Sequence, residues 1–294
     1  MELAGSELTE MRKVLLDHDP MMMARYLKAL QERKISVSVS DLTRQKAEHL
    51  GWVCSGHPTL TPTGWFAADS FREYFFWRER ERLLPFADAV PEVIREALVG
   101  RHVLEIGSGS GMNLMSLAPV TASITGLEPV SIYRQIGSVL AEVEGLNHVV
   151  VRDGRAEALP FASGQFDTVL CVSAHQYFDL VPAFREIARV LRPGGEVVLI
   201  SGTWSRYLLG SAHQALTGLS AAKNYAVTVV NTASYMALRR KILVRPSKWS
   251  TAYPIYPARW AIVELLREAG LTMVGPPDRR AGETVFRARK AQLR

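Results

Sequence analysis

The chain has 294 residues, 48% of them hydrophobic and 22% charged, with a formal net charge of +6 at pH 7. That suffices for a full α/β core beside a smaller second unit, and the mild positive surplus reads as a soluble surface, not a nucleic-acid track. Two cysteines, Cys54 and Cys171, exclude a disulfide framework and fit a reducing cytoplasm; no apolar run reaches membrane-spanning length, and Met1–Glu7 lacks the basic and apolar regions of a signal peptide.

Residues 1–84 read as a helical unit. Leu8–His18 and Met21–Arg33 are predicted helices, with Asp19-Pro20 supplying a turn and a first-turn proline. A third helix begins at Ser40-Asp41-Leu42 and runs to about Leu50. Gly51–Cys54 and Thr59–Thr61 are expected to pair as a hairpin around Ser55–Pro58, and Thr63-Gly64-Trp65 opens another helix. Three helices and a hairpin resemble a winged-helix module. A DNA-reading module of that kind wants basic residues on its third helix and wing. Here Arg44, Lys46 and His49 stand beside Asp41 and Glu48, and the wing carries no lysine or arginine. Dimerisation and roofing of a pocket are the expected roles instead. Phe71–Arg78 then joins the two parts as an aromatic-rich helix. Its rings either pack between the parts or, through Tyr74 or Trp77, close over a cationic ligand.

From about Val90 helix and strand alternate. Strands are predicted near 102–106, 123–127, 148–152, 167–172 and 196–201, and helices at 112–118, 131–143, 180–191 and 257–269. Thr272–Pro276 and Glu283–Arg289 read as two further strands joined by Asp278–Gly282. This is the pattern of a Rossmann-like, mostly parallel sheet of seven strands with helices on both faces. Right-handed crossovers bring the strand tips bearing Glu105, Glu128 and Val172 to one edge, where such sheets bind ligands.

The most informative stretch is Val103–Gly111, an apolar strand with an acidic residue near its end and glycine at 107, 109 and 111. Those glycines let a flat ligand lie against the backbone. A second acidic residue, Glu128, ends the next strand. A dinucleotide fingerprint would place its third glycine at 112, which is Met112, and a phosphate loop would need a following G-K-[ST], which is missing. Glu105 would repel pyrophosphate and attract an ammonium group. The ligand that offers both an ammonium and a ribose diol is S-adenosylmethionine.

The set Val103–Gly111, Gly126–Pro129, Ala156–Phe161, Phe166–Cys171 and Arg189–Gly195 resembles the class I S-adenosylmethionine-dependent methyltransferases, over roughly residues 85–202. The resemblance implies a last strand antiparallel to the rest. It also implies that Gly107, Ser108, Gly109 and Asn113 wrap the methionine and ribose portion of the cofactor. Glu105 would hold the ammonium, and Glu128, followed by Pro129, the ribose hydroxyls. Where the family has an adenine-reading aspartate this chain has Arg155, so adenine recognition falls to Ala156, Glu157 or stacking of the Arg155 guanidinium. Val172 and Ser173 complete the expected cofactor wall.

Val172–Asp179 occupies the family's position facing the transferred methyl. His175 is the candidate general base, since imidazole titrates near neutral pH, with packing beside the cofactor as its alternative role. Tyr177 and Asp179 are further acid–base or orienting candidates. The long connection 204–256 reads as a substrate lid, with Trp204, Tyr207, His213, Tyr225, Asn231, Tyr235, Trp249, Tyr253 and Tyr256 suiting a flat or apolar substrate, or equally packing as core. Arg239-Arg240-Lys241 reads as a solvated charge run. No metal motif occurs. The expected protein is a cytoplasmic methyltransferase in two parts, 1–84 and 85–294. It takes a small molecule, most readily at a hydroxyl of an aromatic or polyketide-like metabolite, and its N-terminal part is a candidate homodimer contact. Transfer to nitrogen or carbon, a macromolecular substrate, and a ligand-sensing regulator are the alternatives.

Overall fold

The structure is a computed structural model that describes residues 2–32, 40–79, 92–146, 148–202, 204, 207, 212, 216, 218–243, 253–280 and 283–292. The boundary expected at 84/85, and His213 and Trp249 of the aromatic connection, lie outside the described residues.

Eight strands form one sheet in the order β3-β2-β1-β4-β5-β8-β6, with β7 on β8. They are β1 His102–Ile106, β2 Ser123–Leu127, β3 Val150–Arg152, β4 Phe166–Val172, β5 Leu191–Gly202, β6 Leu271–Met273, β7 Asp278–Arg280 and β8 Glu283–Lys290. Strands β1 to β5 are parallel, and β8 runs antiparallel between β5 and β6. The segment expected to connect the last two strands therefore contributes a short strand of its own, Asp278 pairing with Val285 and Arg280 with Glu283.

Apolar residues occupy both faces of the central strands, as a doubly covered parallel sheet requires. The two-residue strand period sorts them into separate layers. Leu104, Val169, Cys171 and Leu199 pack with Leu180, Phe184 and Ile187 of α8 (Leu180–Val190). Val103, Leu170, Val198 and Val285 pack on the other face with Ile94 and Leu98 of α5 (Glu92–Leu98) and with Leu114 and Leu117 of α6 (Met112–Leu117).

Ahead of the sheet lie α1 (Gly5–Asp17), α2 (Pro20–Gln31), α3 (Asp41–His49) and α4 (Pro62–Glu79). Asp19 caps α2 by accepting from the Met21 amide at 2.9 Å, with Pro20 in the first turn. The hairpin expected at 51–61 reduces to a single bridge, Val53 to Leu60. Pro58 and Pro62 remove donors from the return segment. Trp52 is drawn into the core, 5.5 Å from the Phe71 ring. This segment therefore carries no two-stranded wing. The four helices share one apolar cluster with the sheet's own flank: Met11, Leu27, Trp52 and Phe71 lie together with Ile132, Ile136 and Leu140 of α7 (Ser131–Val143).

Within the expected lid lies a 20-residue helix, α9 (Leu219–Leu238). Its Tyr235 is fully buried, donating to Asp179 Oδ1 at 2.5 Å and accepting from the Val181 amide at 2.9 Å. That part of the connection is core. Helix α10 (Arg259–Glu268) leads into β6. No helix among the described residues is long and apolar enough to cross a membrane.

Candidate active site

Strand β1 delivers the chain into a loop whose geometry depends on glycine. Gly107 and Gly109 take φ values of 72° and 53°, in the left-handed region that side chains disfavour. A Cβ on Gly107 would lie 2.3 Å from the Ala174 Cβ, so this loop touches the loop after β4. The Gly107 and Ser108 amides both donate to the Leu127 carbonyl, at 2.8 and 3.2 Å, which ties the turn to the tip of β2.

Two carboxylates stand at those tips. Pairing of Glu105 with Gly126 sets β1 and β2 in register, so Glu128 follows just past the end of β2. Its Oε2 accepts from the Gly109 amide at 3.1 Å and its Oε1 from the Val130 amide at 2.9 Å. Burial raises its ionisation above the usual carboxylate range, and the two amides oppose that rise. Glu105 is 1% exposed. Its Oε1 accepts from Asn113 Nδ2 at 2.7 Å, while Oε2 has no partner. Burial, reinforced by the charge on Glu128, pushes it up to about 8. Ser108 Oγ and Asn113 Oδ1 are likewise buried without partners. Native interiors leave few such atoms unsatisfied, and three of them fall on the end of β1, the loop after it and the helix that follows.

Of these residues Gly107, Ser108, Gly109, Asn113 and Glu128 line a cleft of about 380 Å³, and Glu105 lies behind them. Gly107, Ser108, Gly109, Asn113, Glu128 and Pro129 form one wall, and Arg155, Ala156 and Glu157 another. Val172, Ser173 and Tyr177 close a third side. Arg155 is exposed, its Nε 3.5 Å from Glu157 Oε2, while Glu157 Oε1 accepts from the Asp179 amide at 2.9 Å. Ser173 takes a φ of 51°, a left-handed non-glycine residue at the tip of β4.

Other expectations shift. His175 opens a short 3-10 turn, His175–Tyr177, and is buried outside the cleft lining, with Nδ1 unpartnered. Burial pushes its ionisation down to about 4, which makes it a weak proton acceptor. Tyr74 is buried too, but its hydroxyl donates to Glu144, and Trp77 packs 5.7 Å from its ring; neither lines the cleft. The α4 residues that do are Arg72 and Glu73, one helical step away. Glu73 was not among the sequence candidates, because its aromatic neighbours dominate that segment.

The connection residues sit farther out. Trp204 is half-buried, and Tyr207 stacks against Tyr256 at 4.1 Å and Tyr225 at 5.8 Å. The Tyr253 and Tyr177 carbonyls accept from Lys241 Nζ at 3.4 and 3.5 Å, and burial pushes that ammonium down to about 8. Arg239 is spoken for, pairing with Glu264 and Glu268 at 3.0 and 3.1 Å. Trp204, Tyr207 and Tyr253 are not part of the cleft wall.

The methyltransferase domain family matches residues 104–199. Over 106 residues the chain is 32% identical to the uncharacterized methyltransferase YcgJ of Bacillus subtilis, covering 36% of this chain and 42% of that protein. It is 33% identical over 121 residues to the uncharacterized protein YafE of Escherichia coli, covering 37% and 58%. The match thus spans about half the length of these relatives. A 35% match over 103 residues reaches the phthiotriol/phenolphthiotriol dimycocerosates methyltransferase of Mycobacterium leprae, covering 34% and 37%. Among solved structures, a SAM-dependent methyltransferase from Methanosarcina mazei aligns with a TM-score of 0.50 at 20% identity, over 70% of this chain and all (100%) of that one. Matched residues and strand order agree over one stretch: residues 104–199 match the methyltransferase domain family, on a mostly parallel sheet that aligns with the Methanosarcina mazei fold.

Proposed function

We propose that the chain transfers a methyl group from S-adenosylmethionine to a small organic metabolite, most readily a hydroxyl of an aromatic or polyketide-like molecule. The observation that carries the cofactor half is the set of orphaned buried atoms, Glu105 Oε2, Ser108 Oγ and Asn113 Oδ1, around a carboxylate braced by two amides. When bound, the cofactor supplies an electrophilic methyl on a sulfonium. Glu128, already held by the Gly109 and Val130 amides, accepts the ribose hydroxyls. Glu105 and Asn113 receive the ammonium, and the open backbone at Gly107 and Gly109 lets the methionine portion lie close. Ala156 and Glu157, with Arg155 over them, take the adenine side.

The acceptor half rests on the aromatic wall that continues from the cleft. Tyr177 and Phe178 line it, and Tyr256 stacks on Tyr207 beyond them. Aromatic faces of this kind offer a flat acceptor a surface to pack on and exclude water, and alignment of donor and acceptor supplies much of the rate. Tyr177, in the cleft wall, is better placed than His175 to touch the acceptor. The N-terminal helices roof the cleft through Arg72 and Glu73 of α4.

Calorimetric titration with S-adenosylmethionine and its demethylated product, followed by labelled-methyl transfer over a panel of phenols and polyketide-like alcohols, tests this reading. Heat with both compounds and label on a hydroxyl support it. The absence of heat overturns it. Label only on nitrogen or carbon acceptors replaces the hydroxyl clause.

A further inference from the structure

The cleft holds more carboxyl groups than its family motifs require. Glu73 enters from α4, outside the glycine loop and both strand tips. Its carboxylate lies along the Gly109 backbone: a Cβ there would sit 3.3 Å from Oε2 and 3.4 Å from Oε1. It lines the same cavity as Glu128, with the orphaned Glu105 Oε2 buried beneath the loop. Among the described residues Glu73 has no hydrogen bond or ion pair.

The nearby cations face other carboxylates, although Arg72 also lines the cavity and its charge partly opposes the rise at Glu73. From α4, Arg72 Nη2 points to Asp69 Oδ1 at 3.4 Å. From α7, Arg134 Nη1 binds Asp153 Oδ1 at 2.9 Å and the Glu128 carbonyl at 2.6 Å. Also on α7, the Tyr133 hydroxyl donates to Asp69 Oδ2 at 3.2 Å. The carboxyls of Glu73 and Glu128, with Glu105 buried beneath the loop, therefore stand at a cavity whose own two cations, Arg72 and Arg155, are directed to Asp69 and Glu157. Clustered buried carboxyls of this kind ionise together only where a ligand supplies the opposite sign.

Resting on the cofactor reading above, we infer that Glu73 is a cofactor ligand that reads the positive charge of the methionine end, so that the N-terminal helices complete the cofactor site and binding expels protons. The sign follows from the free state. Burial first, and the Asp69 charge next, push Glu73 up to about 8, and Glu105 also ionises at about 8. Both are mostly protonated at pH 7. A cation arriving between them favours the ionised forms, and the protons leave to buffer.

The test is calorimetry on the full chain at pH 7 in buffers of different ionisation enthalpy, with S-adenosylmethionine and with its product, which lacks the sulfonium charge. The wild type is expected to release between about one and two protons per cofactor. Glu73→Gln should release about one fewer and bind S-adenosylmethionine at least about tenfold more weakly, with Glu73→Asp partly restoring both. A larger loss for S-adenosylmethionine than for the product places the contact at the sulfonium; an equal loss places it at the shared ammonium. A Glu73→Gln protein with wild-type affinity and proton count overturns the role of Glu73 and leaves the cofactor reading standing. A wild type that binds neither compound overturns both. Should Glu73→Gln fail to fold, the wild-type count decides, and a release well under one proton sinks the inference.

Discussion

Glu105→Gln gives the sharpest physical check on the cleft, because it needs no substrate. The carboxyl is 1% exposed with one oxygen bonded to Asn113 and the other unpartnered. Its ionisation moves from 4.5 in an unfolded chain to about 8 in the fold. A value raised by folding means that the group's stabilising contribution is complete below about 4.5 and is lost as pH climbs to about 8. At about 1.4 kcal/mol per pH unit the loss approaches about 5 kcal/mol, an upper figure set by full burial. Glutamine keeps the shape and an acceptor for Asn113 but cannot ionise. The cofactor-free variant should therefore gain on the wild type by about 1.4 kcal/mol for each pH unit across that window. For a chain of this length the total corresponds to roughly 8 °C in melting temperature. His18 and His175, both lowered by burial, shift the stability of either protein equally and cancel in the difference. Thermal unfolding of both proteins at pH 5, 6, 7 and 8 reads it directly. A stability difference that stays constant over that range refutes the buried-carboxyl argument.

Other substitutions probe the remaining parts. Glu128→Ala removes a charge-assisted acceptor and strands the Gly109 and Val130 amides; about 2–3 kcal/mol of cofactor binding should go, a Kd weaker by roughly 30- to 150-fold, and titration showing unchanged affinity would remove the ribose assignment. Gly107→Ala forces a Cβ to 2.3 Å from Ala174 at a φ of 72°; it should cost about 2 kcal/mol or more by urea denaturation, and a wild-type midpoint would contradict the loop-to-loop contact. His175→Gln should lower kcat by less than about tenfold with an unmoved pH profile, whereas loss of a pH limb would restore His175 as the base. Tyr256→Ala unstacks Tyr207 and should reduce kcat/KM for aromatic acceptors while leaving cofactor affinity intact; equal loss for aliphatic acceptors would deny the aromatic wall its role.

The glycine loop and the two strand-tip carboxylates were legible because their signals are local. Val103–Ile106 is buried on both faces, and the turn after it demands left-handed backbone, so residue type and conformation agree within nine positions. The next strand tip, bearing Glu128, followed from one strand–helix–strand step. Glu73 was illegible for the opposite reason. An acid among Tyr74, Phe75, Phe76 and Trp77 gains meaning only once α4 lies over Gly109, a contact between distant stretches of chain. The same geometry decides between the two readings of Tyr74: adjacent helical residues point about 100° apart, so the ring faces α7 while the carboxylate faces the cleft. In the 204–256 connection, aromatic content alone does not separate Tyr235, fixed on Asp179 in the core, from Tyr207 and Tyr256, stacked outside it. His175 sits two positions before Tyr177, and only the 3-10 turn decides which of them reaches the cavity.

The apolar cluster common to α1–α4 and α7 has a practical corollary. A fragment trimmed to start at Glu92 would leave Ile132, Ile136, Val139 and Leu140 as a bare greasy flank beside the glycine loop, and such flanks precipitate. Split at that point and produced together, the two halves should instead find each other, since each carries what the other lacks.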